Sequence, residues 1–361
     1  MAVLRKALTG LALALPALSL PGAAGAADFY GGKTLNVVVG GAAGGNTDLQ
    51  SRILLRHMEK HIPGKPRVVV RNMAGSGGML ATNYIGEVAP RDGYTILINT
   101  VSLISELQND PALRVKYSNL IAVGSVGQQG VVHVRKDVAP GIDGPADLFK
   151  VTRQIKTAGY REGHAVDVHL RLTLEMLGVN YKHVSGFPSS AKMLQAVLQD
   201  EVQMAFDSTT GYRRRIVQAL VQPGISVPLW HVGVPNESGG LDASPNFPDV
   251  PSFLDVYRMK FGKDAMPKGV AWDAYLLVTG MRAKLVRAVL MPQGSPKQAA
   301  DVLRAAYTRL QTDPEFIAEY EKLNAEKPQL FTGEDTQRYM ERVTKSSDPK
   351  LVAFIKTLGG N

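Results

Sequence analysis

The segment VVVGGAAGGNTDLQSRILLRHMEK, residues 37–60, decides the fold class of this chain. Its valines complete an apolar run, residues 34–39, of the kind that a strand buried on both faces shows. A glycine-rich turn follows, and then Leu49, Ile53 and Met58 recur at helical spacing. The segment therefore predicts a buried strand, a tight loop, and an amphipathic helix that packs one face against a sheet.

The same order of elements continues along the chain. Further strands are predicted at 67–70 and 95–99, with a helix at 78–88 between them. This βαβαβ order implies a parallel sheet with crossover helices. A long β-rich stretch, 121–134, leads to a second block, 154–206, that repeats the pattern. We therefore expect an α/β protein in which 121–134 carries the chain from one lobe to another.

The last third of the chain contains clear signals for where loops and helices begin. A strand is predicted at 228–234, and the stretch 236–270, rich in Pro, Gly, Ser and Asp, is interpreted as a long surface loop or insertion. Ser295-Pro296 and Asp313-Pro314 each have the form of an N-cap followed by proline at the first helical position. Pro349 opens a final helix. This region is therefore predicted to be helical.

The N-terminus has the pattern of a secretory signal. Arg5 and Lys6 precede a short apolar run, 7–20, and residues 24–26 form an Ala-Gly-Ala cleavage pattern. We therefore expect residues 1–26 to be a cleavable signal peptide and the mature protein to be periplasmic. The sequence contains no cysteine, which excludes a lipid anchor on cysteine, a disulfide and thiolate chemistry.

The net charge of +9 raises the question of a nucleic-acid partner. The only dense basic cluster is Arg213-Arg214-Arg215, and no aromatic residues alternate with it as stacking platforms would. We interpret this triplet as a solvated helix face and expect no nucleic-acid partner. An exported basic protein instead attracts anions through its overall field.

The glycine-rich turn is not a nucleotide site. A phosphate-binding Walker loop ends in Gly-Lys-Ser/Thr, whereas Gly45 is followed by Asn46-Thr47-Asp48. A dinucleotide fingerprint needs a third glycine where this loop has Ala42 between Gly40 and Gly45. The sequence therefore predicts no nucleotide and no other cofactor.

The sequence gives only weak evidence for a catalytic serine and for a zinc site. Residues 74–78, Ala-Gly-Ser-Gly-Gly, are close to a nucleophile elbow around Ser76, but the last histidine, His231, has no acid placed to orient it. His57 and His61 have the spacing of a zinc helix, yet we interpret them as exposed helix residues. We expect neither an enzyme nor a metal site.

Anion binding by the backbone remains. The loops 40–48 and 72–78 each lie between a predicted strand and a predicted helix, and so present unpaired N–H groups at the strand ends. Asn46, Thr47 and Asp48 could alternatively serve as helix caps. The two loops predict a site for a free carboxylate that needs no arginine.

Ordered motifs along the chain resemble a known family, the tripartite tricarboxylate transporter solute-binding receptors, also called TctC or Bug proteins. The motifs that carry this resemblance are Gly44-Gly45-Asn46-Thr47-Asp48, Asn72-Met73-Ala74-Gly75-Ser76-Gly77-Gly78, Pro90 to Leu97, Gly163-His164-Ala165 with His169-Leu170, Gly178 to Val184, Asp207-Ser208 and Asp249-Val250-Pro251. One departure is Ser185-Gly186-Phe187-Pro188, where the family continues with Pro-Tyr and a glycine.

The resemblance implies a two-lobed periplasmic-binding-protein fold, often called a Venus flytrap, with each lobe a mainly parallel sheet flanked by helices. Lobe 1 would comprise 27–126, lobe 2 would comprise 127–229, and 230–361 would return to lobe 1 and end in helices. The implied function is capture of a small organic carboxylate and its delivery to membrane permease subunits, by a monomer without a cofactor. A subunit that presents its ligand to a membrane signalling protein, or a secreted hydrolase that uses Ser76, are the alternatives.

Carried over by position, the resemblance implies a set of ligand-binding residues in each lobe. In lobe 1 they are Gly44, Gly45, Asn46, Thr47, Asp48, Asn72, Gly75, Ser76, Gly77, Thr100 and Ser102. In lobe 2 they are His164, Ala165, Ser185, Gly186, Asp207 and Ser208.

Overall fold

The structure, a computed structural model, describes most of the chain. The described residues are 29–160, 163–236, 238, 240–244, 246–346 and 348–358. The predicted signal peptide, residues 1–26, lies outside them. Within these ranges no helix has both the length and the apolar character needed to cross a membrane.

Strands and helices alternate along the described chain. The strands are β1 (Thr34–Val39), β2 (Arg67–Asn72), β3 (Thr95–Asn99), β4 (Ile121–Gly127), β5 (Gly130–Arg135), β6 (Ile155–Ala158), β7 (Tyr181–Val184), β8 (Met204–Ser208), β9 (Ser226–His231), β10 (Val234–Pro235), β11 (Leu241–Asp242), β12 (Arg287–Met291) and β13 (Gln329–Thr332). The helices are α1 (Asn46–Met58), α2 (Met79–Glu87), α3 (Leu103–Leu107), α4 (Ala165–Met176), α5 (Ser190–Leu198), α6 (Thr209–Gly211, continued by a π-type segment Tyr212–Val221), α7 (Phe253–Phe261), α8 (Val270–Leu285), α9 (Lys297–Arg309), α10 (Pro314–Asn324), α11 (Gly333–Ser346) and α12 (Pro349–Leu358).

Two larger sheets organise these elements. The first has the strand order β13-β4-β12-β3-β1-β2, and the second has the order β7-β6-β8-β5-β9. Strand β1 pairs in parallel with β2 and β3, as the βαβαβ order predicts, and β6 pairs in parallel with β7 and β8. All other pairs in these two sheets are antiparallel. Both sheets are therefore mixed rather than mainly parallel, because strands that leave or re-enter a sheet run against its βαβ core.

The predicted stretch 121–134 is two strands in two different sheets. Strand β4 ends at Gly127 in the first sheet, and β5 begins at Gly130 in the second, so Gln128 and Gln129 form a crossing segment. The second sheet takes its strands from residues 130–231, and the first takes its strands from both sides of that block. The lobe boundaries 27–126, 127–229 and 230–361 stay a prediction.

Several predicted elements are confirmed, and others differ. Strands 34–39 and 95–99 have the predicted bounds. The stretch 236–270 is not simply a loop, because it contains α7, which begins with a capping box between Ser252 and Asp255. The predicted cap at Ser295 is wrong: Pro296 occupies the N-cap position of α9 without a side-chain cap.

The first glycine-rich loop is held between a buried strand and a helix with one buried face. Ile53, Leu54 and Met58 of α1 pack with Val37 and Val39 of β1 in one core cluster. Each such side chain contributes roughly 1.5–3 kcal/mol when it is fully removed from water. Leu49, predicted on the same face, is 39% exposed, since it lies in the first turn beside the loop. The core thus fixes the position of the loop that precedes α1.

Candidate functional site

A cavity of about 460 Å³ lies between the two sheets. Its volume is within the range of small-molecule sites. Its walls combine the loop before α1 and the residue after β3 with the end of β8 and the starts of α4 and α5. The lining residues are Gly41, Ala42, Gly44, Gly45, Asn46, Thr47, Thr100, Gln128, Tyr160, His164, Val166, Pro188, Ser189, Ser190, Ala191, Phe206, Asp207, Ser208, Arg215, Arg282, Val286 and Arg287.

The structure brings part of the predicted site together in this cavity. The predicted residues that line it are Gly44, Gly45, Asn46, Thr47, Thr100, His164, Asp207 and Ser208. The predicted residues outside the lining are Asp48, Asn72, Gly75, Ser76, Gly77, Ser102, Ala165, Ser185 and Gly186. The loop before α1 and the loop before α4 therefore reach the cavity. The second glycine-rich loop, 72–78, does not. Whether any of these residues binds a ligand stays a prediction.

The N-terminus of α1 is a donor-rich part of the cavity wall. Gly45 is the N-cap residue, and no side chain caps this helix. Asn46 and Thr47 therefore do not take the capping role that was open to them. The first N–H groups of a helix have no partner within the helix, and the helix dipole favours an anion beside them. The geometry of the loop thus fits a carboxylate.

Asp48 supports this loop from behind. Its buried carboxylate accepts hydrogen bonds from Gly44 N (2.9 Å), Arg52 Nε (2.9 Å) and Asn72 Nδ2 (3.0 Å). Asn72 Nδ2 also donates to Gly41 O over 2.9 Å. Burial by itself would raise the pKa of Asp48, but these hydrogen bonds and the charge of Arg52 together hold it below its ordinary value. Asp48 and Asn72 therefore position the loop, and Asp48 does not cap α1.

The second glycine loop packs against the first through Asn99. Asn99 Nδ2 donates to Gly78 O over 2.9 Å. A Cβ atom added at Gly40 or Gly78 would lie 2.4 or 2.2 Å from Asn99 Oδ1, so both positions require glycine for close packing. Gly75, Ser76 and Gly77 project beyond this contact and are exposed. They do not belong to the cavity lining.

The wall from the second sheet is built by helix starts. His164 is the N-cap of α4, and its Nδ1 accepts from Val166 N over 3.3 Å. Ser189 caps α5 in the same way, and Ser208 caps α6. Asp207, also buried, has its Oδ2 3.4 Å from His133 Nε2. The exposed Ser185 and Gly186 precede this wall, which is formed instead by residues 188–191.

Three arginines line the cavity, which differs from the arginine-free site that the loops predicted. Arg213 and Arg214 are exposed, but Arg215 is half-buried, and its Nη2 donates to Ser190 Oγ over 2.6 Å. Interpreting the whole triplet as a solvated face was therefore wrong for Arg215. Of the other two arginines, Arg282 lies in the last turn of α8 and Arg287 begins β12.

Arg282 and Arg287 are held by neutral groups. Arg282 Nη2 donates to Gln129 O over 3.2 Å, and its guanidinium lies 4.6 Å from the Phe206 ring centroid. Arg287 Nη1 donates to Thr100 Oγ1 over 2.8 Å. Burial lowers the pKa of both arginines to about 10, so both remain charged at neutral pH. The sequence carries no local signal for their burial, since basic residues such as Arg282 and Lys284 are typical of the last turn of a helix.

The two histidines that have the spacing of a zinc helix, and that we interpreted as exposed, have structural partners. His57 is buried rather than exposed, and its Nε2 lies 2.7 Å from Glu319 Oε2. His61 Nε2 lies 2.9 Å from Asp313 Oδ2. These contacts join α1 and the turn after it to α10 and its N-cap residue Asp313. Among the residues that the structure describes, no group of three or more potential metal ligands occurs.

A larger cavity of about 700 Å³ runs along α8 and α11. Its lining includes Leu276, Leu277, Phe331 and Tyr339. Neither of the glycine-rich loops, 40–48 and 72–78, contributes a residue to its lining. Because the uncapped start of α1 and three guanidinium groups converge in the cavity between the sheets, we take that cavity as the candidate site.

The fold is that of the periplasmic binding proteins. The structure of the periplasmic binding protein BugD matches with a TM-score of 0.63 and 22% identity, covering 91% of this chain and 98% of that chain. A TctC solute-binding protein from Polaromonas matches with a TM-score of 0.61 and 17% identity, covering 90% and 97%. An R. palustris protein with adipate matches with a TM-score of 0.63 and 18% identity, covering 91% and 98%. The predicted two-lobed fold is confirmed.

Sequence relatives agree with the predicted resemblance. A UPF0065 protein from the tcbD-tcbE intergenic region of Pseudomonas sp. strain P51 is 27% identical, over 89% of this chain and 95% of its own length. Protein BugT of Bordetella pertussis is 33% identical over 36% of this chain and 38% of its own. No family model matches the chain. These relatives and the neighbours BugD and TctC are consistent with the TctC/Bug family, and the resemblance predicted from the sequence is confirmed.

Proposed function

We propose that this protein is a periplasmic solute-binding receptor that captures a small organic carboxylate between its two lobes. The observation that carries the proposal is one cavity in which the uncapped start of α1 lies together with the buried Arg287 and the half-buried Arg282. Helix N-termini and guanidinium groups are both donors that suit a carboxylate. The adipate-bound structural neighbour supports the same class of ligand.

The proposed mechanism is closure of the lobes around the ligand. The crossing segment Gln128–Gln129 joins the sheets beside the cavity, and Gln128 lines it. A carboxylate held at residues 44–47 gains contacts with residues 188–191 only when the two sides approach. Binding therefore shifts the population toward the closed state, by an amount equal to its difference in affinity for the two states.

The closed receptor would deliver its ligand to the membrane permease subunits of a tripartite tricarboxylate-type transporter. In this proposal the mature chain follows a cleaved signal peptide, works as a monomer in the periplasm, and needs no cofactor. Permease docking is tested by uptake of the radiolabelled ligand into cells that lack the receptor gene. Restored uptake on complementation is expected, and unchanged uptake would refute the delivery step while leaving capture intact.

The alternative functions receive no comparable support. Ser76 is exposed, lies outside the cavity lining, and forms no hydrogen bond with a histidine in the described part of the chain. A hydrolase that uses Ser76 would need such a base. No observation favours presentation of the ligand to a signalling protein over delivery to a permease.

A thermal-shift screen tests capture directly. Mature protein is freed of co-purified ligand by unfolding and refolding, and is then mixed with mono-, di- and tricarboxylates, aromatic acids and acidic amino acids. A ligand at about 100 times its Kd stabilises the folded state by roughly 2.7 kcal/mol. We expect a rise in Tm for one carboxylate class, without turnover of the ligand. An unchanged Tm for every acid in the panel would contradict the proposal.

A further inference from the structure

In the described structure, Arg287 and Arg282 have no carboxylate at ion-pair distance. Arg287 is 7% exposed, and its Nε has no hydrogen-bond partner. The Nε of Arg282 is also buried without a partner. Neither guanidinium forms an ion pair with any residue that the structure describes. The hydrogen bonds that they do make end on uncharged oxygens of Thr100, Val286 and Gln129.

Such an arrangement is costly unless an anion completes it. Burying an ionised group without a counter-charge is unfavourable, and neutral acceptors recover only part of the lost hydration. Two acidic residues lie in the neighbourhood of Arg282, namely Asp207 and Glu326. Asp207 lies against His133, and Glu326 accepts from Gln128 Nε2 over 2.9 Å. Each carboxyl group therefore contacts another side chain, and neither of them forms an ion pair with Arg282 or Arg287.

The balance of charges in the cavity wall points the same way. The wall contains three guanidinium groups, of Arg215, Arg282 and Arg287, and one carboxylate, of Asp207. Within the lining this leaves an excess of two positive charges, part of which Glu326, near Arg282 but outside the lining, offsets. A ligand with one carboxylate would balance only half of the excess within the lining.

The arginines are held by elements other than the α1 loop. Arg282 contacts the crossing segment at Gln129, and its planar group stacks over Phe206 of β8. Arg287 is fixed beside Thr100, at the end of β3. Stacking and hydrogen bonding of this kind orient a guanidinium group so that its remaining N–H donors can form a two-point contact with a carboxylate.

We propose that Arg282 and Arg287 form a second anion-binding pole that holds the far carboxylate of a dicarboxylate ligand, while residues 44–47 hold the near one. This inference rests on the proposed function and names the ligand class that the receptor selects. The arginine pole, rather than the glycine loop, then determines specificity. A monocarboxylate of the same carbon skeleton leaves the arginines without a counter-charge and binds more weakly.

Calorimetric titration with matched acids tests the proposal. The probes are succinate with butyrate, glutarate with valerate, adipate with hexanoate, and phthalate with benzoate, each pair differing by one carboxylate. At pH 7.5 we expect the best dicarboxylate to bind at least 30-fold more tightly than its monocarboxylate partner. In Arg287→Gln this ratio falls to less than threefold, chiefly through weaker dicarboxylate binding. Arg282→Gln shows the same direction of change.

Arg214→Gln is the matched control, because Arg214 is an exposed arginine outside the cavity lining. It should keep the wild-type ratio. If Arg287→Gln does not fold, the ratio of dicarboxylate to monocarboxylate affinity is compared between the wild-type protein and Arg282→Gln, and this comparison tests the proposal. Equal affinity for both acids of every pair in the wild-type protein would overturn the arginine pole while leaving carboxylate capture standing. Absence of binding by every acid would overturn the proposed function itself and the inference with it.

Discussion

Asn72 donates a hydrogen bond from its Nδ2 to the carboxylate of Asp48 over 3.0 Å and so fastens the end of β2 to the first turn of α1. The same carboxylate accepts from Gly44 N, at the edge of the candidate site. Two residues that the sequence suggested as ligand groups thus act one step behind the cavity wall. They hold the loop in the shape that leaves the start of α1 available.

Asp48→Asn should lower both stability and affinity. The amide loses the charge that faces Arg52, and one of the two oxygen positions becomes an NH2 group, so either Gly44 N or Asn72 Nδ2 loses its acceptor. We expect the free energy of unfolding to fall by about 1–2 kcal/mol, measured by urea denaturation, and carboxylate affinity to fall with it. Because the pKa of Asp48 is lowered in the folded state, this contribution is present above the ordinary pKa and is lost as the pH falls below it.

Asp301→Asn is the control for that variant, since Asp301 forms an exposed pair with Lys297 four residues away. Exposed pairs of this kind contribute no more than about 0.5 kcal/mol. Equal losses of stability in Asp48→Asn and Asp301→Asn would contradict the role assigned to Asp48.

Gly78→Ala tests the close packing of the two glycine loops. The added Cβ would lie 2.2 Å from Asn99 Oδ1, at a φ of +94° that disfavours side chains. We expect a loss of about 2–4 kcal/mol in the free energy of unfolding, from overpacking together with backbone strain. Gly224→Ala is matched in backbone, with a φ of +77°, but has open space around the added atom and should lose only about 1 kcal/mol.

The steric part of this prediction has its own check. In the double variant Gly78→Ala with Asn99→Ala the clash is removed, so the double variant should be more stable than the sum of the two single losses implies. Strict additivity of the two losses would show that the contact between Gly78 and Asn99 is not the cause.

Glu326 should make the protein less stable as the pH rises toward neutrality. Burial raises its pKa to about 7, although hydrogen bonds such as the one from Gln128 Nε2 act in the opposite direction. The folded state therefore prefers the protonated acid: the benefit is full below pH 4.5, the ordinary value, and is lost as the pH rises through about 7. Glu326→Gln, which cannot ionise, should gain about 1–3 kcal/mol over the wild-type protein between pH 5 and pH 8.

Urea denaturation of both proteins at the two pH values measures that difference. Glu341→Gln, at a helix surface next to Lys345, serves as the control and should not gain in this window. A difference between wild type and Glu326→Gln that stays constant from pH 5 to pH 8 would show that Glu326 does not titrate there.

The sequence predicted the strands and loops around the site better than it predicted the charged side chains that line it. Strand β1 and the loop before α1 were recognisable because an apolar run, glycines and helical spacing are all local signals. The directions of β12 and β13 were not, since antiparallel pairing in a mixed sheet depends on where distant strands return. The site role of Arg287 was not predicted for the same reason: no local pattern places it beside Thr100, 187 residues earlier in the chain.

The most direct test of carboxylate capture places a carboxylate of the protein itself at the start of α1, where the carboxylate of the ligand is proposed to bind. Gly45 is the N-cap of α1, with φ −74° and ψ 167°, a conformation that aspartate readily adopts at this position. In Gly45→Asp the new carboxylate can accept from the free N–H groups at the start of α1 and repel an incoming anion. In Gly45→Ala the same Cβ is added without the charge.

The decisive measurement is calorimetric titration of the acid that gives the largest thermal shift against these two variants. We predict that Gly45→Asp folds with at least the stability of Gly45→Ala and binds the acid at least 100-fold more weakly, which corresponds to about 2.8 kcal/mol. Equal affinity in the two variants would contradict the account, because the ligand's carboxylate would then lie elsewhere than at the start of α1.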